Sequence, residues 1–182
     1  MKRVSAVLFG LVVFYMAPTA SSAKGDMVLI EIKGETLTTP IKITDPRIQE
    51  FNVWSGPGVN GTRLENARGF IIDWQSGVVP RLPAGLQRHE VSFYAGCNTI
   101  PDDPRCLAEK PQLAYVVSYD YDPLSKRGFV YLPRRGEPWF EVNGGTIWHG
   151  SGIEGHWFFA TDSWENFVRP LIAKAMALGP TH

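Results

Sequence analysis

Three features of this sequence predict a mainly β fold of the α+β kind, an antiparallel sheet or small sandwich of about eight or nine strands with a short N-terminal helix and a C-terminal one. The first is a pair of runs, Leu113–Tyr121 and Gly128–Leu132, rich in β-branched and aromatic residues and joined by the turn-forming Asp122-Pro-Leu-Ser-Lys-Arg127. The second is a series of short aromatic runs at Pro138–Val142, Thr146–His149 and His156–Phe159, spaced as the strands of a meander. The third is a closing segment in which Trp164, Phe167, Val168, Leu171, Ile172 and Met176 recur at helical spacing.

In chain order, Met27–Lys33 reads as a first strand, and Gly34-Glu35 turns it into Thr36–Thr44. Pro40 cannot donate to a strand ladder, so this second strand belongs at an edge or carries a bulge. Asp45-Pro46 opens a short helix, with an Asp side chain to cap free amides and a Pro ring preset for the first helical position. Ile48 and Phe51 give it one buried face before Trp54-Ser-Gly-Pro-Gly58 ends it. Phe70–Trp74 and His89–Tyr94 follow as strands, separated by a Pro- and Gly-bearing loop. In the latter, His89, Val91 and Phe93 fall on one face and Glu90, Ser92 and Tyr94 on the other, the pattern of a sheet with one wet side. In the central run, Tyr115, Val117, Tyr119 and Tyr121 alternate with Ala114, Val116, Ser118 and Asp120; both faces are partly apolar, so this strand belongs at the centre, covered on both sides. The closing helix spans about residues 162–178. Asp162-Ser-Trp-Glu165 has the form of a capping box, Pro170 must kink the helix or divide it, and Gly179-Pro180 supplies a stop.

The N-terminus has the three parts of a secretory signal peptide over residues 1–23: Met1-Lys-Arg, the apolar run Val4–Met16, and the small-residue stretch ending at Ala23. The apolar run is too short for a permanent span of roughly 20 residues, so no membrane span is expected after cleavage. Cleavage after Ala23 leaves residues 24–182 as a single domain, of a size that can bury roughly 70% of its unfolded surface without a metal or cysteine framework. The sequence holds 18 Lys and Arg against 18 Asp and Glu, and no cluster of basic residues, so a nucleic-acid partner is not expected. Cys97 and Cys106 are the only cysteines. In an exported chain they are expected to form a disulfide, worth roughly 2–3 kcal/mol for so short a loop.

The pattern Gly34-x-x-Leu37-x-x-Pro40-Ile-x-Ile43-Thr-Asp45, followed by Trp54-Ser-Gly-Pro-Gly58, resembles a family of uncharacterised secreted bacterial proteins. The resemblance implies export, to the periplasm or the medium, and no activity or site residue.

Candidate chemistry concentrates in Trp148-His-Gly-Ser-Gly-Ile-Glu-Gly-His-Trp157. His149, Glu154 and His156 could ligate zinc, although the spacing is not that of a helical zinc motif; with a metal-bound water and a carboxylate base they would suit a hydrolase. More simply, they belong to a glycine-rich connection, and no cofactor is expected. Ser151 has His149 and Ile153 where the Gly-x-Ser-x-Gly nucleophile elbow needs its two glycines, and is followed by a predicted strand instead of a helix. Asp73, Glu90, Asp120, Glu141 and Glu154 lie on or beside strands, where paired acids could serve a glycosidase, but the sequence selects no pair. Of six tryptophans, Trp54, Trp148 and Trp157 adjoin glycine-rich loops, where an aromatic rim can stack on a sugar or anchor a protein. The sequence thus favours an exported, non-catalytic binding module for a protein or glycan, with Trp54, Trp148, His149 and Trp157 as its contact surface. A secreted hydrolase and a structural envelope protein are the alternatives.

Overall fold

The computed structural model describes residues 26–54, 70–96, 110–125, 127–144 and 152–178. The signal segment, Cys97 and Cys106, the run Thr146–His149 with Trp148 and His149, Ser151 and the Gly179-Pro180 stop lie outside the described residues.

Seven strands form one antiparallel sheet: β1 (Met27–Gly34), β2 (Ile41–Ile43), β3 (Val78–Val79), β4 (Gln87–Ala95), β5 (Gln112–Tyr121), β6 (Phe129–Tyr131) and β7 (Trp157–Phe159). Their spatial order is β2-β1-β4-β5-β6-β7-β3. The fold is therefore mainly β, and the strands among the described residues all belong to one sheet. The long β4 and β5 lie near the middle, and the two edges are the three-residue β2 and the two-residue β3. Short edges leave few main-chain groups open to a foreign strand. Pro40 stands immediately before β2 and confines it to Ile41–Ile43, in keeping with the expected edge.

Two aromatic runs do not become strands. Phe70–Trp74 contributes only an isolated bridge, Ile72 to Ala160, because Asp73 ends it. The Asp73 carboxylate accepts from the Gln75 and Ser76 amides and starts a one-turn 3-10 helix at Trp74–Ser76. Within Pro138–Val142, Phe140 begins a short helix instead, α1 (Phe140–Asn143). The expected helix after Asp45 is a 3-10 helix over Pro46–Phe51, capped by Asp45 and burying Ile48 and Phe51.

The last helix, α2 (Asp162–Ala177), runs unbroken through Pro170. Pro170 and the residue whose carbonyl it leaves free, Asn166, both face solvent, so water can take that carbonyl. The helix packs on one face of the sheet through Trp164, which is fully buried and meets Phe51, Tyr119 and Phe93 at ring separations of 5.2, 5.8 and 6.3 Å. Such edge and tilted contacts add about 0.5–1.5 kcal/mol each beyond the buried area.

The capping-box reading of Glu165 is overturned. Thr161 is the cap, its hydroxyl accepting from the Trp164 amide, and Glu165 turns inward to the sheet. Its carboxylate lies 3.0 Å from the Tyr119 hydroxyl through both oxygens and accepts from the Gly128 amide at 2.9 Å and from Arg169 Nε. Arg169 in turn donates to the carbonyls of Asp122 and Ser125, in the turn that precedes β6. One buried carboxylate thus joins the helix, the central strand and the β5–β6 connection. Burial, reinforced by the Glu165 charge, pushes the Tyr119 hydroxyl well above the ordinary phenol range, so it remains a donor.

Two glycines are required by close approach. A Cβ on Gly128 would stand 2.6 Å from the Tyr119 ring and 2.8 Å from Glu165 Oε1, and one on Gly34 would stand 2.5 Å from the His89 ring. Gly128→Ala is therefore expected to cost about 1–3 kcal/mol, read as a lower urea midpoint.

His89 occupies the core row Gly34, His89, Tyr119, Val130 and Phe158, one residue from each of five adjacent strands. Its side chain is fully buried, and neither ring nitrogen makes a hydrogen bond. Burial lowers its pKa; the nearby main chain of Gln87 and Tyr119, and the Asp120 charge, offset only part of this. Below the unfolded imidazole value of about 6.5 the unfolded chain then binds the extra proton, so this contribution to stability is present above that pH and is lost as pH falls. The loss is expected at up to about 1.4 kcal/mol per pH unit until the folded-state value is passed. Urea melts at several pH values between about 7.5 and 5 should show it, and a His89→Leu protein should show a flatter profile in the same window. Asp73 and Glu137, whose pKa values are lowered, lose their contributions in the more acidic carboxylate range.

Candidate functional site

The opposite face of the sheet carries a second row, set by the same alternation: Glu90 of β4, Ser118 of β5, Tyr131 of β6 and Trp157 of β7 stand side by side in register. With strands about 4.8 Å apart, this row is roughly 14 Å long. It floors an open cavity of about 660 Å³, within the usual range of small-molecule sites.

One wall is built by the chain that leaves β6. After Leu132, Pro133-Arg-Arg-Gly-Glu-Pro138 turns back over the sheet, with Gly136 at φ 87° and the Glu137 amide bonded to the Arg134 carbonyl. Glu137 locks this turn: its carboxylate accepts from the Arg134 amide at 3.1 Å, from Arg134 Nε at 2.8 Å and from the Tyr131 hydroxyl at 2.7 Å. Burial opposes charge on Glu137, but these donors hold its carboxyl below the ordinary range. The Tyr131 hydroxyl, partly buried and facing that carboxylate, is pushed up to about 12.

The turn delivers Trp139, the one non-glycine residue with positive φ among the described residues, at 72°. A bulky side chain in this region costs of order 1–3 kcal/mol and persists only where its surroundings fix it. Two bonds do so. The indole Nε1 donates to Glu90 Oε2 at 2.8 Å, and the ring stays 39% exposed at the cavity. On the far side of α1, the buried Asn143 accepts from the Val116 amide at 2.8 Å and donates to the Val116 carbonyl at 2.7 Å. These are the bonds a neighbouring strand residue would make; β6 pairs with β5 only as far as Ser118, and Asn143 replaces the missing partner.

The other wall is aromatic and cationic. Trp157 and Tyr131 lie 4.9 Å apart between ring centroids, and the Arg88 guanidinium stands 5.6 Å from the Trp157 ring. Asp120, 3% exposed, holds Arg88 through Nε and Nη2 at 2.9–3.1 Å, and Nη1 takes no part in that pair. Gly155 at φ 80° passes beneath Arg134, whose Cβ a side chain there would meet at 3.0 Å.

Of the residues selected from sequence, Trp157 lines this cavity. Trp54 does not: it packs into the core at 7% exposure. Trp148 and His149 are outside the described residues. Glu154 is half-buried and His156 exposed on the approach to β7, and among the described residues no three His, Cys, Asp or Glu side chains are placed to share a metal ion. Of the acidic candidates, Glu90 enters the cavity, Asp120 is committed to Arg88, and Asp73 caps a turn and pairs with Arg127. Sequence reasoning missed Arg88, Ser118, Tyr131 and Trp139. The available signal was parity: Glu90 and Ser118 occupy the non-core phase of the two strands whose alternation the sequence shows, and Tyr131 stands beside Ser118 in the register of the next strand.

Comparison of the chain with protein families, with curated proteins and with solved structures finds no match. The site must therefore be read from its own chemistry.

Replacing Asn143 by Ala is expected to orphan both Val116 main-chain groups, at a cost of about 1–3 kcal/mol, and to detach α1 from the sheet. Hydrogen exchange should report this as lost protection at the Val116 amide, with the core-face amides of β4 largely retained.

Proposed function

We propose that this protein is an exported binding module whose contact surface is the cavity over Glu90, Ser118, Tyr131 and Trp157, and that it acts by recognition rather than by catalysis. The observation that carries this reading is Trp139. A tryptophan held at positive φ, tethered at its indole nitrogen and still exposed, spends folding energy on presenting a ring to solvent. The charged groups around it support the same view, since Arg88 and Arg134 are fixed by carboxylates in a way that orients donors for a ligand. Export rests on the N-terminal segment, and among the described residues no helix is long and apolar enough to cross a membrane.

The test is a thermal-shift screen of the chain beginning at Lys24 against soluble saccharide and peptide libraries. A ligand present at about 100 times its Kd stabilises the folded state by about 2.7 kcal/mol. The expected result is stabilisation by one chemical class and its loss in Trp157→Ala; hits that stabilise both proteins equally would remove the cavity as the site. Mass spectrometry of exported protein should find an N-terminus near Lys24.

A further inference from the structure

We infer that the ligand of this cavity is an uncharged oligosaccharide; the inference rests on the cavity being the binding site and names what it binds.

Charge is the first argument. Two guanidiniums and two carboxylates face the cavity, Arg88 and Arg134 against Glu90 and Glu137, and Asp120 neutralises Arg88 from beneath. A cationic ligand would meet Arg88 already seated over the Trp157 ring, where a cation-binding aromatic site would need that face free. An anionic ligand would meet Glu90, whose charge is felt by Lys33 across the β1–β4 pair but outside the cavity lining, and Glu137, already paired with Arg134. Hydroxyl groups suit both signs, because each donates to a carboxylate and accepts from a guanidinium. Glu90 Oε1, Arg88 Nη1 and the Ser118 hydroxyl remain for them after the internal bonds are made.

Shape is the second. The floor is a linear row about 14 Å long with aromatic rings at one end and Trp139 over the other, which fits an extended chain of rings with apolar C–H faces and polar rims better than one compact molecule. Main-chain pairing is the third. An extended peptide usually gains its affinity by adding to a sheet edge, but this cavity lies on a sheet face, and the Val116 main-chain groups that β6 leaves unpaired on β5 are taken by Asn143.

The experiment is titration calorimetry of the chain from Lys24 with six-unit oligosaccharides. Cello-, xylo-, manno- and N-acetylated chito-oligomers are the neutral probes, oligogalacturonate and fully deacetylated chito-oligomer the charged ones, and a displayed peptide library is run beside them. The variants are Trp157→Ala and Trp139→Gly; the second removes the ring and its bond to Glu90 while relieving the positive φ. The expected result is saturable binding of at least one neutral oligomer, weakened about tenfold or more in each variant while both melt cooperatively, and changed less than about twofold by a tenfold rise in salt. Binding confined to a charged oligomer, or capture of peptides but of no sugar, with the variants impaired, would overturn the inference and leave the cavity as a binding site. Sugar binding that both folded variants retain would overturn the inference and the cavity together. No binding of any neutral oligomer also overturns the inference.

Discussion

The structure depends on a carboxylate taken out of water. Glu165 sits on the buried side of α2 and satisfies the Tyr119 hydroxyl, the Gly128 amide and the Arg169 guanidinium. A buried charge is tolerable only when paired and hydrogen-bonded, and here the partners come from three separate stretches of chain. The arrangement therefore exists only when helix, central strand and turn are all in place. It fixes the height and rotation of the helix on the sheet, which lets Trp164 enter between Phe51, Phe93 and Tyr119. Gly128 is the steric condition for this, since a side chain there would occupy the space between the Tyr119 ring and the carboxylate.

That anchoring has a consequence on the far side of the sheet. With one face of β4, β5 and β6 held by the core, the alternate residues of the same strands are held in register on the other face, and main-chain pairing alone sets Glu90, Ser118, Tyr131 and Trp157 side by side. Rigid strands make a precise floor for a site. The wall is different in kind. It is a short excursion of chain fixed by a few polar bonds, those of Glu137, Asn143 and the Trp139 indole, and the backbone strain at Trp139 is sustained by them. Recognition thus rests on a stiff floor and a wall whose geometry is specified by hydrogen bonds.

Much of the sheet was legible in the sequence because strand alternation is a local property. Tyr115, Val117 and Tyr119 face the core together as their spacing predicts, and Ile48 and Phe51 bury as expected of a short helix after Asp45. The misreadings share one cause. Phe70–Trp74 and Pro138–Val142 have strand composition, yet Asp73 caps a turn and Asn143 pairs with β5, and both outcomes are decided by where a side-chain amide or carboxylate finds a partner. Glu165 looks like a local cap for the same reason: its spacing from Asp162 is right, but two of its three partners lie 37 and 46 residues away in sequence. Within the candidate site, Trp157 was legible as an aromatic beside a glycine-rich loop, whereas Trp139 followed a proline in an apparent strand and carried no mark of its positive φ.

By itself the sequence determined a mainly β domain closed by a helix, a proline-limited edge at β2, and the phase of each long strand, because periodicity and backbone chemistry act within a few residues. Only the tertiary structure decided that the described strands join in one sheet, that Trp54 is core, and that Arg88, Glu90, Ser118, Tyr131, Trp139 and Trp157 meet. Those results depend on strand order and on buried polar groups choosing partners far along the chain, and neither leaves a local trace in composition or spacing.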